Sequence, residues 1–183
     1  MRDRTSWSCH HGVARWGASC DCVPDGAWKG PLRAALDRLA GGVDAATEQL
    51  LRALPGRPDA WGARDAWVEV LLGLETAATF GDRWLAPAAS TGDRATFAAA
   101  MEAQRWRLAM FASCGWFWDE PARIETAGVL RSAVRAARLV DGLAGTDLEG
   151  RLVADLGLVS ADGIGILDAA LAAVGAGGRS RPA

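Results

Sequence analysis

The chain has 183 residues, of which 50% are hydrophobic, and it carries 20 basic against 22 acidic side chains for a net charge of -2. This length predicts a single domain with one substantial core. The nearly neutral balance argues against a nucleic-acid-binding protein, which needs a clustered positive surface. No apolar segment typical of a secretory signal or a membrane-spanning helix appears, so a cytoplasmic protein without a membrane partner is predicted.

Residues 1–30 are predicted to form a looped arm that packs on the rest of the chain. Thiol and imidazole groups cluster in this arm at Cys9, His11, Cys20 and Cys22, and tetrahedral zinc prefers such ligands. A structural zinc site is one hypothesis, but the Cys-x-Cys and Cys-x-His spacings match no common zinc finger. The alternative is that the cysteines are small buried residues and that His11 holds the loop by a hydrogen bond.

The arm is followed by amphipathic helices, which are predicted to build a bundle over 31–175 and to leave a disordered tail over 176–183. Gly41 and Gly42 are placed to separate a helix over 31–40 from a second helix over 43–54. Prolines then stop the second helix, and Asp59 is suited to cap a third helix over 60–72.

A longer helix is predicted to follow, capped by Thr91 or Asp93 and ending at Gly115. Its apolar residues recur at a helical period and predict one buried stripe of Phe97, Met101, Leu108 and Phe111.

Pro121 is suited to the first turn of the next helix, which is predicted over 122–143. One face is apolar, with Ile124, Ala127, Leu130, Val134 and Ala137. A second face carries Arg131, Arg135 and Arg138, which predicts a solvated surface; binding of an anionic ligand is the alternative. Since no useful strand pattern appears anywhere, the predicted fold class is all-α, an irregular helical bundle with the Cys/His/Trp-containing arm.

Between the two long helices lies the most unusual segment, Ser113-Cys114-Gly115-Trp116-Phe117-Trp118-Asp119-Glu120. Trp116 and Trp118 are candidates for stacking on a ligand, while Asp119 and Glu120 are candidates for accepting its hydroxyl hydrogens. The alternative is that the aromatic rings only plug the end of the bundle. In that case the protein is a helical scaffold without a ligand, and all nine tryptophans are buried.

Several blocks of the sequence occur in an order that is similar to a known family. The most distinctive runs over 104–120, Gln-Arg-Trp-Arg-Leu-Ala-Met-Phe-Ala-Ser-Cys-Gly-Trp-Phe-Trp-Asp-Glu, and the others lie at 5–9, 11–16, 20–22, 28–37, 63–71, 124–126 and 133–136. Together they resemble an uncharacterised helical domain that follows the catalytic domain of glycoside hydrolase family 57-like, α-amylase/α-mannosidase-like proteins. The resemblance extends to about Leu167.

The resemblance implies a hydrolase or transferase that acts on α-glucans or related oligosaccharides with retention. Its catalytic carboxylates are expected in a barrel domain upstream or on a separate chain, so no catalytic residue is expected here. By analogy, Trp116, Trp118, Asp119 and Glu120 are expected to form one wall of the oligosaccharide site. A truncated gene, a misassigned start and a split gene each account for a chain that begins so close to the first block.

Overall fold

The computed structural model describes residues 11, 13, 20, 26–118 and 121–157. Within these residues the chain forms a short 3₁₀ turn, Gly26–Trp28, followed by α-helices and no strand, which confirms the predicted all-α class. The helices are α1 (Lys29–Ala53), α2 (Ala60–Ala66), α3 (Val68–Leu71), α4 (Ala77–Trp84), α5 (Thr91–Ala109), α6 (Cys114–Phe117), α7 (Ile124–Ala144) and α8 (Leu148–Gly157).

Helix α1 runs without a break through the glycine pair that was predicted to end it. The helix packs on α8 here, and a Cβ atom added to Gly42 would lie only 2.6 Å from Cδ2 of Leu148. Gly42 therefore serves a close approach between helices rather than a helix end. The predicted stop before Pro55 is correct, because α1 ends at Ala53.

The segment after Pro55 folds into three short helices. Asp59 caps α2 as predicted, since its carboxylate accepts a hydrogen bond from the amide of Gly62 at 2.8 Å. The predicted helix over 60–72 is divided at Trp67 into α2 and α3. Helix α4 was not predicted, although Thr76 closes a capping box at its start.

Helix α5 begins earlier than predicted, because its N-cap lies one residue before Thr91 and three residues before Asp93. Ser90 is the N-cap, and the side chain of Asp93 accepts a hydrogen bond from the Ser90 amide in a capping box. The predicted end at Gly115 is wrong, because α5 stops at Ala109 and a turn leads into α6. Leu108, predicted in the buried stripe, is exposed, whereas Phe97 and Met101 are fully buried.

Helix α7 lies at the centre of one end of the bundle and contacts α1, α5, α6 and α8. It starts at Ile124, two residues after the predicted start. Ile124 itself is 74% exposed, so its place in the buried stripe was predicted incorrectly, whereas Leu130, Val134 and Ala137 are buried. Gly145, with a φ of 65°, ends α7 in the left-handed conformation that glycine favours.

Two hydrophobic clusters hold the helices together. The larger cluster joins α1, the end of α5, α7 and α8, and it includes Trp28 and Trp116. The smaller one joins the end of α1 to α2, α4 and the start of α5 around Phe80 and Phe97. Because α1 and α5 take part in both clusters, the described helices share one continuous framework.

Most of the predicted arm over 1–30 and the whole predicted tail over 176–183 lie outside the described residues. Among the helices that the structure describes, none combines the length and the apolar character needed to cross a membrane.

Candidate functional site

Helix α6 (Cys114–Phe117) carries four residues of the aromatic octapeptide, and it packs directly on α7. A Cβ atom added to Gly115 would lie 2.3 Å from Cγ2 of Val129, so only glycine permits this separation of the two helices. The buried hydroxyl of Thr126 also donates a hydrogen bond to the carbonyl oxygen of Gly115 at 3.1 Å. These contacts fix the orientation of the two tryptophans that follow.

Trp116 points into the larger hydrophobic cluster. Its side chain is 2% exposed, and its ring stacks on Trp28 with 6.4 Å between centroids and 12° between planes. In this position the ring offers no free face to a ligand. Among the described residues its indole nitrogen has no hydrogen-bond partner, so apolar packing is the main interaction that holds it.

Trp118 lies on the surface, with 40% of its side chain exposed. The guanidinium of Arg123 is 4.1 Å from its ring centroid, and Phe117 meets it edge-on at 5.0 Å. Arg123 also extends its Nε towards Glu125, donating to Oε2 at 3.4 Å. Aromatic, cationic and anionic groups therefore meet around one exposed ring at the start of α7.

Glu125 is the described carboxylate of this cluster. The pKa of its carboxyl group is lowered, chiefly by a hydrogen bond from its own backbone amide and further by the charge of Arg123 and hydrogen bonds from Arg123 and Trp118. The carboxylate is therefore ionised at neutral pH and accepts hydrogen bonds. A group with a lowered pKa is suited to accepting ligand hydroxyl hydrogens rather than to donating a proton as a general acid.

Asp119 and Glu120, the two carboxylates predicted from the sequence, lie outside the described residues. Of the predicted binding residues, the structure thus places Trp116 in the core and Trp118 on the surface. Arg123 and Glu125 were not predicted as site residues from the sequence. The sequence does contain a signal for them, because both lie at the start of the next helix, just after the aromatic segment.

Two of the four predicted zinc ligands are described, and they are in contact. Nδ1 of His11 lies 3.3 Å from Sγ of the buried Cys20. Cys9 and Cys22 lie outside the described residues, and the part of the chain that is described contains no group of three or more potential metal ligands. The contact does not separate the two hypotheses, because a hydrogen bond that holds the loop and a pair of zinc ligands can both bring these atoms together.

Fold and site together define a helical domain whose candidate site is an aromatic surface at a helix junction. The model of one family, described as a domain of unknown function (DUF3536), matches residues 25–162. The chain belongs to this family, since the match covers well over half of its length and includes both the core and the Trp118 surface. No curated protein and no solved structure is significantly similar to the chain.

Proposed function

We propose that this chain is the helical accessory domain of a glycoside hydrolase family 57-like enzyme. In this proposal a barrel domain, encoded upstream or on a separate chain, supplies the catalytic carboxylates for hydrolysis or transfer on an α-glucan or related oligosaccharide. The helical domain supplies one wall of the substrate site. The proposal rests on the resemblance of the sequence blocks and on one structural observation, the cluster of Trp118, Arg123 and Glu125.

The chemistry of this cluster suits a sugar ligand. An exposed indole face packs on the apolar face of a sugar ring, and neighbouring charged groups accept and donate hydrogen bonds to its hydroxyls. Glu125 is held as an acceptor by its lowered pKa, and Arg123 is a donor. A retaining hydrolase needs two carboxyl groups about 5 Å apart, and the resemblance assigns both of them to the barrel domain.

An exposed apolar patch supports the proposal of a barrel partner. Val68, Leu71, Leu72 and Leu74 lie on α3 and the turn after it, and Leu72 and Leu74 are 68% and 73% exposed. Helix α3 has no buried residue of its own. A surface of this kind is typical of a domain interface, because contiguous apolar groups gain stability when they are removed from water.

Ligand binding tests the substrate-wall proposal. We expect isothermal titration of the chain with linear α-glucan oligosaccharides to give a binding signal that Trp118→Ala weakens at least tenfold. Trp61→Ala is the matched control, because Trp61 also carries an arginine guanidinium, that of Arg64 at 5.1 Å, but belongs to the smaller cluster. The proposal would be contradicted if the two substitutions weakened binding equally. It would also be contradicted if the unaltered chain bound no oligosaccharide.

The partner proposal is tested by sequencing the DNA upstream of the Met1 codon and co-expressing any barrel protein encoded there. We expect the barrel and this chain to co-purify, and Leu72→Ser with Leu74→Ser to separate them. Val153→Ser is the control, since Val153 is also exposed but lies on α8. Co-purification that survives loss of both leucines would place the interface elsewhere on the chain.

A second candidate function is a zinc-stabilised helical interaction module, which the contact between His11 and Cys20 favours. Two ligands of a tetrahedral zinc ion with ordinary bond lengths lie about 3.6 Å apart, close to the observed 3.3 Å. We expect about one zinc per chain by atomic emission and chelator-sensitive melting, both lost in Cys20→Ser but kept in Cys114→Ser. Metal-free protein that melts at the same temperature with and without chelator would reject this candidate.

A further inference from the structure

The arginine row on α7 divides into two kinds of side chain. The positive charge of Arg138 is paired with the negative charge of a carboxylate, because its Nε and Nη2 donate to the two carboxylate oxygens of Glu149 at 2.9 and 2.8 Å. Arg135 and Arg131, which lie one and two turns earlier, form no ion pair with any residue of the described ranges. Their four-residue spacing places the two uncompensated charges next to each other on the helix surface, where like charges destabilise the helix.

Arg135 is also held in place by an aromatic ring from another helix. Its guanidinium carbon lies 4.5 Å from the ring centroid of Trp106 on α5. The ring is itself fixed, because its indole N–H donates to Oε1 of Glu102 at 2.8 Å. The same carboxylate oxygen accepts from Nη1 of Arg105 at 2.6 Å, so this carboxylate already has its own cation and leaves Arg135 uncompensated.

We propose that Arg131 and Arg135 bind the phosphate group of a small soluble phosphorylated compound. A guanidinium over a ring keeps its edge N–H groups available for a planar, paired contact with oxyanion oxygens. Because the ring restricts Arg135, less conformational entropy is lost on binding. A phosphate monoester carries close to two negative charges at neutral pH, which matches the two free guanidinium groups, whereas a carboxylate or a phosphodiester carries one.

This site is separate from the Trp118 surface that carries the proposed function. It depends on residues of α5 and α7 that the oligosaccharide proposal does not use. A negative result for phosphate binding therefore does not contradict the oligosaccharide proposal, and the reverse also holds. The chain as a whole has a net charge of -2, which disfavours a long polyanion as the ligand and favours a single phosphate group.

The experiment is a titration of the ¹⁵N-labelled chain with inorganic phosphate, followed on the arginine Nε–H signals by nuclear magnetic resonance. We expect saturable shifts for Arg131 and Arg135, and a dissociation constant at least tenfold higher in Arg135→Gln and in Arg131→Gln. Arg138→Gln is the matched control on the same helix and is expected to bind within twofold of the unaltered chain. Dimethyl phosphate, a diester, should bind more weakly than the dianion.

Three outcomes would overturn the proposal. One is a shift spread equally over all exposed arginines, which is general ionic screening. The second is unchanged binding in both Arg131→Gln and Arg135→Gln. The third is equal affinity for phosphate, dimethyl phosphate and chloride. Arg131→Gln and Arg135→Gln test the same site independently. If one variant misfolds, the other still gives a decisive measurement.

Discussion

Replacement of Trp116 by alanine gives the sharpest test of how the aromatic segment is divided between core and surface. The side chain is 2% exposed and stacks on Trp28, so its removal loses a large buried area and leaves a cavity. Substitutions of this kind cost about 3–5 kcal/mol. For a chain of this size the expected fall in Tm is roughly 6–20 °C.

Trp118→Ala is the matched control, because it removes the same side chain two residues away. The ring is 40% exposed, and it loses mainly its contacts with Arg123 and Phe117. Such ring contacts contribute about 0.5–1.5 kcal/mol each. Thermal unfolding followed by circular dichroism should therefore rank the variants clearly, with Trp116→Phe between them because it keeps a ring against Trp28.

The assignment of Trp116 to the core would be refuted by a Trp116→Ala protein that unfolds within about 2 °C of the original chain. It would also be refuted if Trp118→Ala were the more destabilised variant. Either result would mean that Trp116 is not a core residue, and its ring would again be a candidate for stacking on the oligosaccharide. The expected result assigns Trp116 to stability and leaves Trp118 for the ligand.

Two further predictions concern helix stability. Gly41→Ala should raise the free energy of unfolding by about 0.5–1 kcal/mol, since the added methyl group would meet no atom within 4 Å apart from its chain neighbours and the backbone of its own helix. Gly42→Ala should raise the free energy of unfolding less, or lower it, because the side chain of Leu148 must move. Equal urea midpoints for the two variants would contradict this explanation. The pKa of Asp93 is lowered, first by the backbone hydrogen bond at the start of α5, so its ionised form stabilises the fold. That stability is complete above the unfolded pKa of about 3.9 and is lost as pH falls through the lower folded pKa. Asp93→Asn should therefore flatten the acid part of the pH–stability curve, and an unchanged acid slope would oppose this assignment.

The sequence predicted the class of the fold because helix signals are local. Prolines at 55 and 58 stop a helix wherever they occur, and the Asp59 cap needs only residues within one turn. The glycine pair was misjudged because the reason for Gly42 is a leucine more than 100 residues later. By helix propensity alone, two glycines lower the stability of a helix, but the tight packing of α1 against α8 offsets that loss.

The candidate site was predicted less completely for a similar reason. The octapeptide drew attention to the segment that carries the candidate site, yet the rings of Trp116 and Trp118, two residues apart, have opposite environments. Their orientation is set by Gly115 on Val129 and by Trp28 beneath Trp116, and neither contact is visible in the octapeptide itself. Spacing can show that aromatic residues are unusual in a segment, but burial depends on distant parts of the chain.

Helix α7 connects these observations, because its first turn serves the core and the surface at the same time. Thr126 holds α6 in place through Gly115, while Glu125, one residue earlier, faces the Trp118 ring and Arg123. A substitution at Thr126 should therefore disturb both the fold and the position of the ring, whereas one at Glu125 should act mainly on the surface chemistry and should lose only the small stabilisation that its ionised carboxylate gives to the first turn of α7. Glu125→Gln keeps the size and the hydrogen-bonding oxygen of the side chain but removes its charge. If the surface binds a neutral oligosaccharide through hydroxyl groups, Glu125→Gln should weaken binding less than Trp118→Ala. If Glu125→Gln abolishes binding with an unchanged Tm, the ligand requires the charge, and the neutral oligosaccharide is the wrong class.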